Sequence, residues 1–170
     1  MPSMKIIIVL AGLPGAGKSS LAARLADRSG YSILSRDTIK RALFGKLNVG
    51  PAQNDHAFSI LLDTLPTVLN YAPGVIVDGL PFSRVGQAES VEAVAMAHGA
   101  LSLTFLIDCD AQTAMERLIL DNRSDSVLVS RVVAEFREIP DHWIRIDALQ
   151  TPSEIEAYIL SILNSMEDAN

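Results

Sequence analysis

Glycines, a lysine and two serines stand close together near the N-terminus, in the run Gly12-Leu-Pro-Gly-Ala-Gly-Lys-Ser-Ser20. The run fits the pattern G-x-x-x-x-G-K-[ST], in which backbone N–H groups surround a polyphosphate. Glycine suits such a loop because it permits close approaches that a side chain would block. Lys18 would reach the terminal phosphates, and the Ser19 hydroxyl would bind Mg²⁺. The residues expected to bind the nucleotide, most simply ATP, are Gly12, Leu13, Pro14, Gly15, Ala16, Gly17, Lys18, Ser19 and Ser20.

The flanking residues predict the elements that would position this loop. Residues 6–11 are all apolar, which is typical of a buried strand. Leu21 and Leu25 lie one turn apart on a helix that would leave the loop from Lys18. The N-terminus of that helix would add partial positive charge beside the phosphates. A glycine-rich turn that happens to hold a lysine is the structural alternative, and the complete motif between strand and helix favours nucleotide binding.

Two aspartates follow apolar runs and could complete such a site. Asp78 ends the run 75–77, where a carboxylate can hold Mg²⁺ or touch the substrate; the alternative is a turn aspartate. Asp37 follows the predicted strand 31–35, and a carboxylate there could take the proton of an attacking hydroxyl and orient it. The alternative is that Asp37 caps a helix beginning at Thr38, and the two roles are compatible.

Short apolar runs alternate with helical periodicity along the chain. Pro66 is expected to kink or split the third helix, and Ser153 is expected to cap the last one. The alternation predicts one α/β domain spanning 1–170, with a five-stranded parallel sheet, helices on both faces, and ligands at the carboxyl ends of the strands. We predict strands near 5–11, 31–35, 75–78, 101–107 and 143–146, and helices near 18–28, 37–44, 58–69, 84–97, 111–118, 129–136 and 153–163.

Composition bounds the class of protein. The chain has 170 residues, of which 49% are hydrophobic and 20% charged, as in globular proteins. A net charge of −6 argues against broad binding to long nucleic acid, although a 5′-hydroxyl end stays open as an acceptor. The basic residues nevertheless cluster, which predicts one anionic ligand site. The two clusters are Arg36, Lys40, Arg41 and Lys46, and Arg117, Arg123, Arg131 and Arg137.

The remaining composition favours a soluble, cytoplasmic protein. The single cysteine, Cys109, rules out an internal disulfide and suits a reducing compartment. No run reaches the roughly 18 apolar residues of a membrane span, and the apolar run after Lys5 leads into the loop, so we expect a core strand there and no signal peptide. His56, His98 and His142 show no metal-ligand spacing.

The first two motifs together resemble a known family. The loop, followed by Leu34-Ser-Arg-Asp-Thr-Ile-Lys-Arg-Ala-Leu-Phe-Gly45, is similar to the AAA-domain kinases, which group with zeta toxins, chloramphenicol phosphotransferase and the kinase domain of phage polynucleotide kinase. The resemblance implies a P-loop NTPase fold and an ATP-dependent kinase. It also implies that Asp37 is the general base for an acceptor hydroxyl and that Arg36 and Lys40 contact the acceptor. Residues 75–81 resemble the D-G-x-P-R strand end of adenylate-kinase-type enzymes, with the arginine displaced to Arg84.

Residues 117–137 resemble the lid of such kinases in a shortened form. The resemblance implies that Arg123 and Arg131 close over the transferring phosphate, and the alternative is a set of solvated helix-face arginines. The predicted activity is transfer of the γ-phosphate of ATP to a hydroxyl of a small or polynucleotide acceptor that itself carries negative charge. Two alternatives are a nucleoside-monophosphate kinase, in which Asp37 holds the acceptor's sugar or base, and a regulatory ATP-binding protein.

Overall fold

The computed structural model describes residues 4–123, 125–136 and 138–167. Its strands pair in parallel in the order β2-β3-β1-β4-β5, which confirms the predicted five-stranded parallel sheet. Non-consecutive neighbours require a helical crossover between strands, and the helices supply it. The strands are β1 (Lys5–Ala11), β2 (Ser32–Ser35), β3 (Gly74–Asp78), β4 (Ala100–Asp108) and β5 (Ile144–Asp147).

Helices cover both faces of the sheet, because side chains alternate along the central strand. Ile6, Ile8 and Leu10 of β1 pack with the first and last helices, whereas Ile7 and Val9 pack with the third and fourth. In the described part of the chain, no helix is both long and apolar enough to cross a bilayer. The helices are α1 (Lys18–Ser29), α2 (Arg36–Phe44), α3 (Pro51–Tyr71), α4 (Gln87–Ala97), α5 (Ala111–Leu120), α6 (Ser126–Glu135) and α7 (Pro152–Glu167).

Several helix boundaries differ from the sequence expectation. Helix α3 begins at Pro51, before the predicted start near 58, and α6 begins at Ser126, before the predicted start near 129. Helix α4 begins at Gln87 and not near 84, because Gly86 adopts a left-handed conformation (φ 88°) at its N-terminus, which leaves Arg84 in the loop after β3. Helix α7 begins at Pro152, so Ser153 is not its cap. Thr151 takes that role: its hydroxyl accepts from Glu154 N at 3.3 Å, and its own N–H donates to Glu154 Oε2 at 2.8 Å.

Pro66 was expected to kink or split helix α3. The helix is one continuous element, so the split is wrong, and the kink stays a prediction. Proline removes one backbone hydrogen bond from a helix interior. Leu61, Leu65 and Leu69 lie on one face of α3 and are each at most 4% exposed. Burial of this apolar face against the sheet offsets the lost hydrogen bond and keeps the helix intact.

Candidate active site

The carboxyl ends of β1, β2 and β3 open onto a cavity of about 710 Å³. The loop after β1, the start of α2 and the end of β3 meet there because parallel strands end at the same edge of a sheet. Of the site residues that the sequence predicts, the cavity brings together Pro14, Gly15, Gly17, Lys18, Ser19, Ser20, Arg36, Asp37, Lys40, Asp78, Arg123 and Arg131. A second cavity of about 270 Å³ shares Ser19, Asp37, Asp78 and Arg123 with the first.

Three residues of the predicted loop hold it in place without lining either cavity. Leu13 and Ala16 are 8% and 4% exposed and pack in the core. Gly12 has φ 139°, and a Cβ there would lie 2.6 Å from the backbone oxygen of Ile107. Its N–H donates to Pro81 O at 3.0 Å, which ties the loop to the segment after β3.

Lys18 folds back over the loop that precedes it. Its Nζ donates to the backbone oxygens of Gly12 and Leu13, each at 2.8 Å. Burial lowers the pKa of Lys18 to about 8, and this effect outweighs the opposing influence of Asp78 and Asp37. An anionic ligand in the cavity would raise this pKa again, as expected of a phosphate-binding lysine.

The depressed pKa of Lys18 predicts a pH dependence of stability. The lysine pKa is about 8 in the folded protein against 10.5 for an unperturbed lysine, so between these values the unfolded chain binds more protons. The contribution of Lys18 to the free energy of unfolding therefore rises with pH across that window, by roughly 1–3 kcal/mol. Urea unfolding from pH 7 to 10 should show wild type gaining stability relative to Lys18→Met. The free energy of unfolding of the exposed Lys46→Met variant should change with pH as that of wild type does. If the free energy of unfolding of Lys18→Met also followed that of wild type, the lowered pKa of Lys18 would be contradicted.

Asp78 ends β3 with its side chain almost fully enclosed. The residue is 5% exposed, and its Oδ1 is buried with no hydrogen-bond partner among the described residues. A buried carboxylate oxygen without a donor is costly unless a cation or a bound water accompanies it. Ser19 lines the same cavity, and no cluster of three His, Cys, Asp or Glu side chains suited to a metal occurs in the described ranges. This donor set fits Mg²⁺, which takes few protein ligands alongside phosphate oxygens and waters.

Asp37 lies inside the first turn of α2 and does not cap it. The helix begins at Arg36, and its N-cap residue is Ser35, whose side chain makes no capping hydrogen bond; the interpretation of Asp37 as the cap is therefore wrong. The Asp37 Oδ1 atom lies 2.8 Å from the Nζ of Lys40, which is 6% exposed. Lys40 thus holds one oxygen of the carboxylate, and both residues line the larger cavity.

Gly79 brings the end of β3 against the start of α2. It has φ 86°, and a Cβ there would lie 2.7 Å from both Asp37 N and the Ser35 hydroxyl oxygen. A side chain would push the helix that carries Arg36 and Asp37 away from Asp78. The sequence signal for this contact is the Asp-Gly pair that follows β3.

We expect Gly79→Ala to destabilise the fold more than the same change at Gly99. Gly99 also has a left-handed φ (64°), but no heavy atom lies within 4 Å of an added Cβ. The Gly99→Ala variant therefore measures only the loss of stability caused by placing alanine in a left-handed conformation. That cost is about 1 kcal/mol, and the clash at Gly79 should add about 1–3 kcal/mol. Urea unfolding measures both. Equal losses would show that α2 does not press on Gly79.

The wall of the cavity away from the loop holds a charged residue, Glu135, that the sequence did not predict. Glu135 accepts a hydrogen bond from the Ser83 hydroxyl, and its Oε1 lies 3.4 Å from Arg84 Nε and 4.0 Å from Arg131 Nε. The spacing of Arg131 and Glu135, four apart on a helix, was a signal in the sequence. The Nε of Arg36 is buried without a partner among the described residues. Burial lowers the pKa of Arg36, and Asp37 opposes that effect.

The other predicted basic residues differ in where the structure places them. Arg117 donates to Ala148 O at 2.8 Å and Ala16 O at 3.4 Å, so it ties the loop to the turn after β5 and is not simply solvated. Arg123 is exposed and lines both cavities. Arg41 lines only the smaller cavity, and Lys46 lines neither. Arg137 lies outside the described residues.

The sheet order, the phosphate-binding loop after β1 and the cavity at the strand ends define a P-loop NTPase fold. A family model described as AAA domain matches residues 7–138, and the chain belongs to that family. The adenylate kinase of Synechococcus sp. (strain WH7803) is 28% identical over 134 residues, covering 72% of each chain.

Solved structures of kinases share this fold. A gluconokinase from Sinorhizobium meliloti 1021 superimposes with a TM-score of 0.71 and 16% identity, covering 99% of this chain and 95% of that one. The APS kinase of Mycobacterium tuberculosis, in complex with AMPPNP and APS, has a TM-score of 0.71 and 17% identity, covering 96% of this chain and 99% of that one. The fold is therefore that of the P-loop kinases.

Proposed function

We propose that this protein is an ATP- and Mg²⁺-dependent kinase that transfers the γ-phosphate of ATP to a hydroxyl of a small anionic acceptor. The observation that carries the proposal is that Asp37, Lys18 and Asp78 line the same cavity. The two carboxylates lie close enough to Lys18 to stabilise its charged form. The related adenylate kinase, gluconokinase and APS kinase support the class of reaction.

The loop residues 12–20 would bind the phosphates of ATP. Backbone N–H groups and Lys18 would contact the phosphate oxygens, and Ser19 and Asp78 would hold Mg²⁺ directly or through water. The metal, when bound, neutralises charge on the phosphates. Catalysis would rest on positioning and electrostatic stabilisation, with little covalent chemistry by the protein.

Asp37 would orient the acceptor hydroxyl and take its proton, with Lys40 fixing the carboxylate. We further propose that residues 1–170 form one kinase domain in which the segment 117–137 acts as a short lid. Arg123 and Arg131 would then neutralise the transferring group. A cytoplasmic location, where ATP is supplied and Cys109 stays reduced, belongs to the same proposal.

ADP release from ATP and Mg²⁺ tests this function across pooled acceptors. The pools should hold sugars, sugar acids, nucleosides, nucleotides, aminoglycosides and 5′-hydroxyl oligonucleotides. We expect one pool to raise ADP release well above the rate without acceptor. Silence from every pool, with ATP still bound, would favour a regulatory ATP-binding protein.

A nucleoside-monophosphate kinase is the second candidate, and two observations favour it. The sequence relative is an adenylate kinase, and Lys40 already occupies one oxygen of the Asp37 carboxylate, at 2.8 Å. A phosphate acceptor needs no strong base, so Asp37 would instead hold the sugar or base. Nucleoside monophosphates in the acceptor pools would then give the highest ADP release.

A further inference from the structure

The cavity wall formed by α2, the loop after β3 and α6 carries more positive than negative charge. Arg84 and Arg131 share Glu135, and Arg84 also lies 3.4 Å from Asp55 Oδ1. Asp55 is 68% exposed, so solvent screens that pair. The charges of Asp37 and Asp55, as well as those of Arg84 and Arg131, act on Arg36, yet Arg36 forms no ion pair with a described residue.

Arg36 lines the cavity, and its Nε is buried without a partner among the described residues. Buried donors in native proteins are almost always paired, so this guanidinium lacks a partner that an anion bound at Arg36 could supply. The cavity is large enough for a small ligand, and Arg84 and Arg131 line it as well. The charges of Asp37 and Asp55 act on Arg36 as well as those of the two arginines. A carboxylate or a phosphate monoester fits, because both accept charge-assisted hydrogen bonds from guanidinium groups.

Carboxamide side chains line the cavity next to this wall: Asn48 lies before α3, Asn54 on α3 and Gln87 on α4. The Asn54 amide nitrogen donates to Val49 O at 3.3 Å, and the Gln87 side-chain oxygen accepts from Arg84 N at 3.3 Å. The Asn54 oxygen and the Gln87 nitrogen are therefore available to ligand hydroxyls, as is the Asn48 side chain. None of the described residues that line the cavity around Arg36 is aromatic, so the base of an acceptor bound at Arg36 would find no aromatic ring to stack on.

We propose that the phosphate acceptor is a polyhydroxylated compound bearing a carboxylate or a phosphate and no nucleobase. Its anionic group binds Arg36, and its hydroxyls face Asn48, Asn54 and Gln87. This inference rests on the proposed kinase function, because it assigns the acceptor of that reaction. It also opposes the nucleoside-monophosphate alternative, since it leaves the base without a partner.

Calorimetric binding in the absence of ATP tests the ligand class separately from catalysis. The probes are a six-carbon aldonate, the neutral aldose, its 6-phosphate, ribose 5-phosphate and adenosine 5′-monophosphate. We expect at least one sugar anion to bind roughly 10- to 100-fold tighter than the neutral aldose, as charge-assisted hydrogen bonds provide. Comparing the affinities of the aldonate and the aldose 6-phosphate shows whether the site prefers a carboxylate or a phosphate. Adenosine monophosphate should bind no tighter than ribose 5-phosphate.

Arg36→Gln should abolish the preference for the anion, and Lys46→Gln, at an exposed position outside both cavities, should keep it. Unchanged ATP binding by Arg36→Gln would show that the variant is folded. Equal affinity for neutral and anionic sugars, or no anion binding at about 10 mM, would overturn the inference. The inference would also be overturned if adenosine 5′-monophosphate bound more than roughly tenfold tighter than ribose 5-phosphate, which would favour the monophosphate kinase. Anion binding without any ADP release would count against the kinase proposal alone.

Discussion

Replacing Asp37 by asparagine is expected to lower kcat by about 10²- to 10⁴-fold while leaving the Kd for ATP unchanged. Asparagine keeps the shape of the side chain and one hydrogen-bond acceptor, but it cannot take a proton at neutral pH. Asp37 is 31% exposed towards a cavity that it shares with Lys18 and Asp78, so a bound hydroxyl can reach it. Steady-state kinetics with the acceptor found by ADP release measure the effect.

Two controls separate proton transfer from the loss of an ion pair. Asp121→Asn removes another carboxylate from the same cavity and should leave kcat within about threefold. Lys40→Met breaks the 2.8 Å contact from the other side. If Asp37 is the base, Asp37→Asn should be far slower than Lys40→Met. Equal losses would make Asp37 a positioning residue, and a raised acceptor KM with an unchanged kcat would support the monophosphate kinase instead.

The fold could be predicted from sequence because its strongest signals are local. The apolar strands and the glycine-rich loop together predicted a parallel sheet, which the structure confirms. The errors lie where a tertiary contact or a cap overrides local pattern. Pro66 does not split α3 because Leu61, Leu65 and Leu69 are buried beside it. Helix α4 starts late because Gly86 adopts a left-handed conformation.

The site was predictable where a reactive side chain stands in a short motif or directly after an apolar strand. Lys18, Asp37 and Asp78 line one cavity as expected, although their roles are still predictions. Glu135 was missed because it is 52 residues from Ser83, and only folding of the chain brings the two together. Basic residues that are neighbours in sequence do not face one way on a helix, which explains why Lys40 lines the larger cavity and Arg41 does not.

Arg123→Gln is expected to reduce kcat by about 10³-fold if this arginine stabilises charge on the transferring phosphate. It is exposed, lines both cavities, and forms no ion pair with any described residue, so its guanidinium is available to a ligand. Its charge already acts on Lys18, which places it on the phosphate side of the cavity. Single-turnover kinetics at saturating ATP isolate the chemical step.

The matched variants distinguish charge from shape at Arg123. Arg123→Lys keeps the charge but loses the planar fork of donors, so its rate should fall between those of Arg123→Gln and wild type. Arg145→Gln, at a 58% exposed arginine on β5, should leave the rate unchanged. A raised KM for ATP with unchanged kcat in Arg123→Gln would mean that the arginine binds ground state and transition state equally. The segment after α5 would then bind nucleotide without contributing to catalysis, because only contacts that strengthen in the transition state accelerate the reaction.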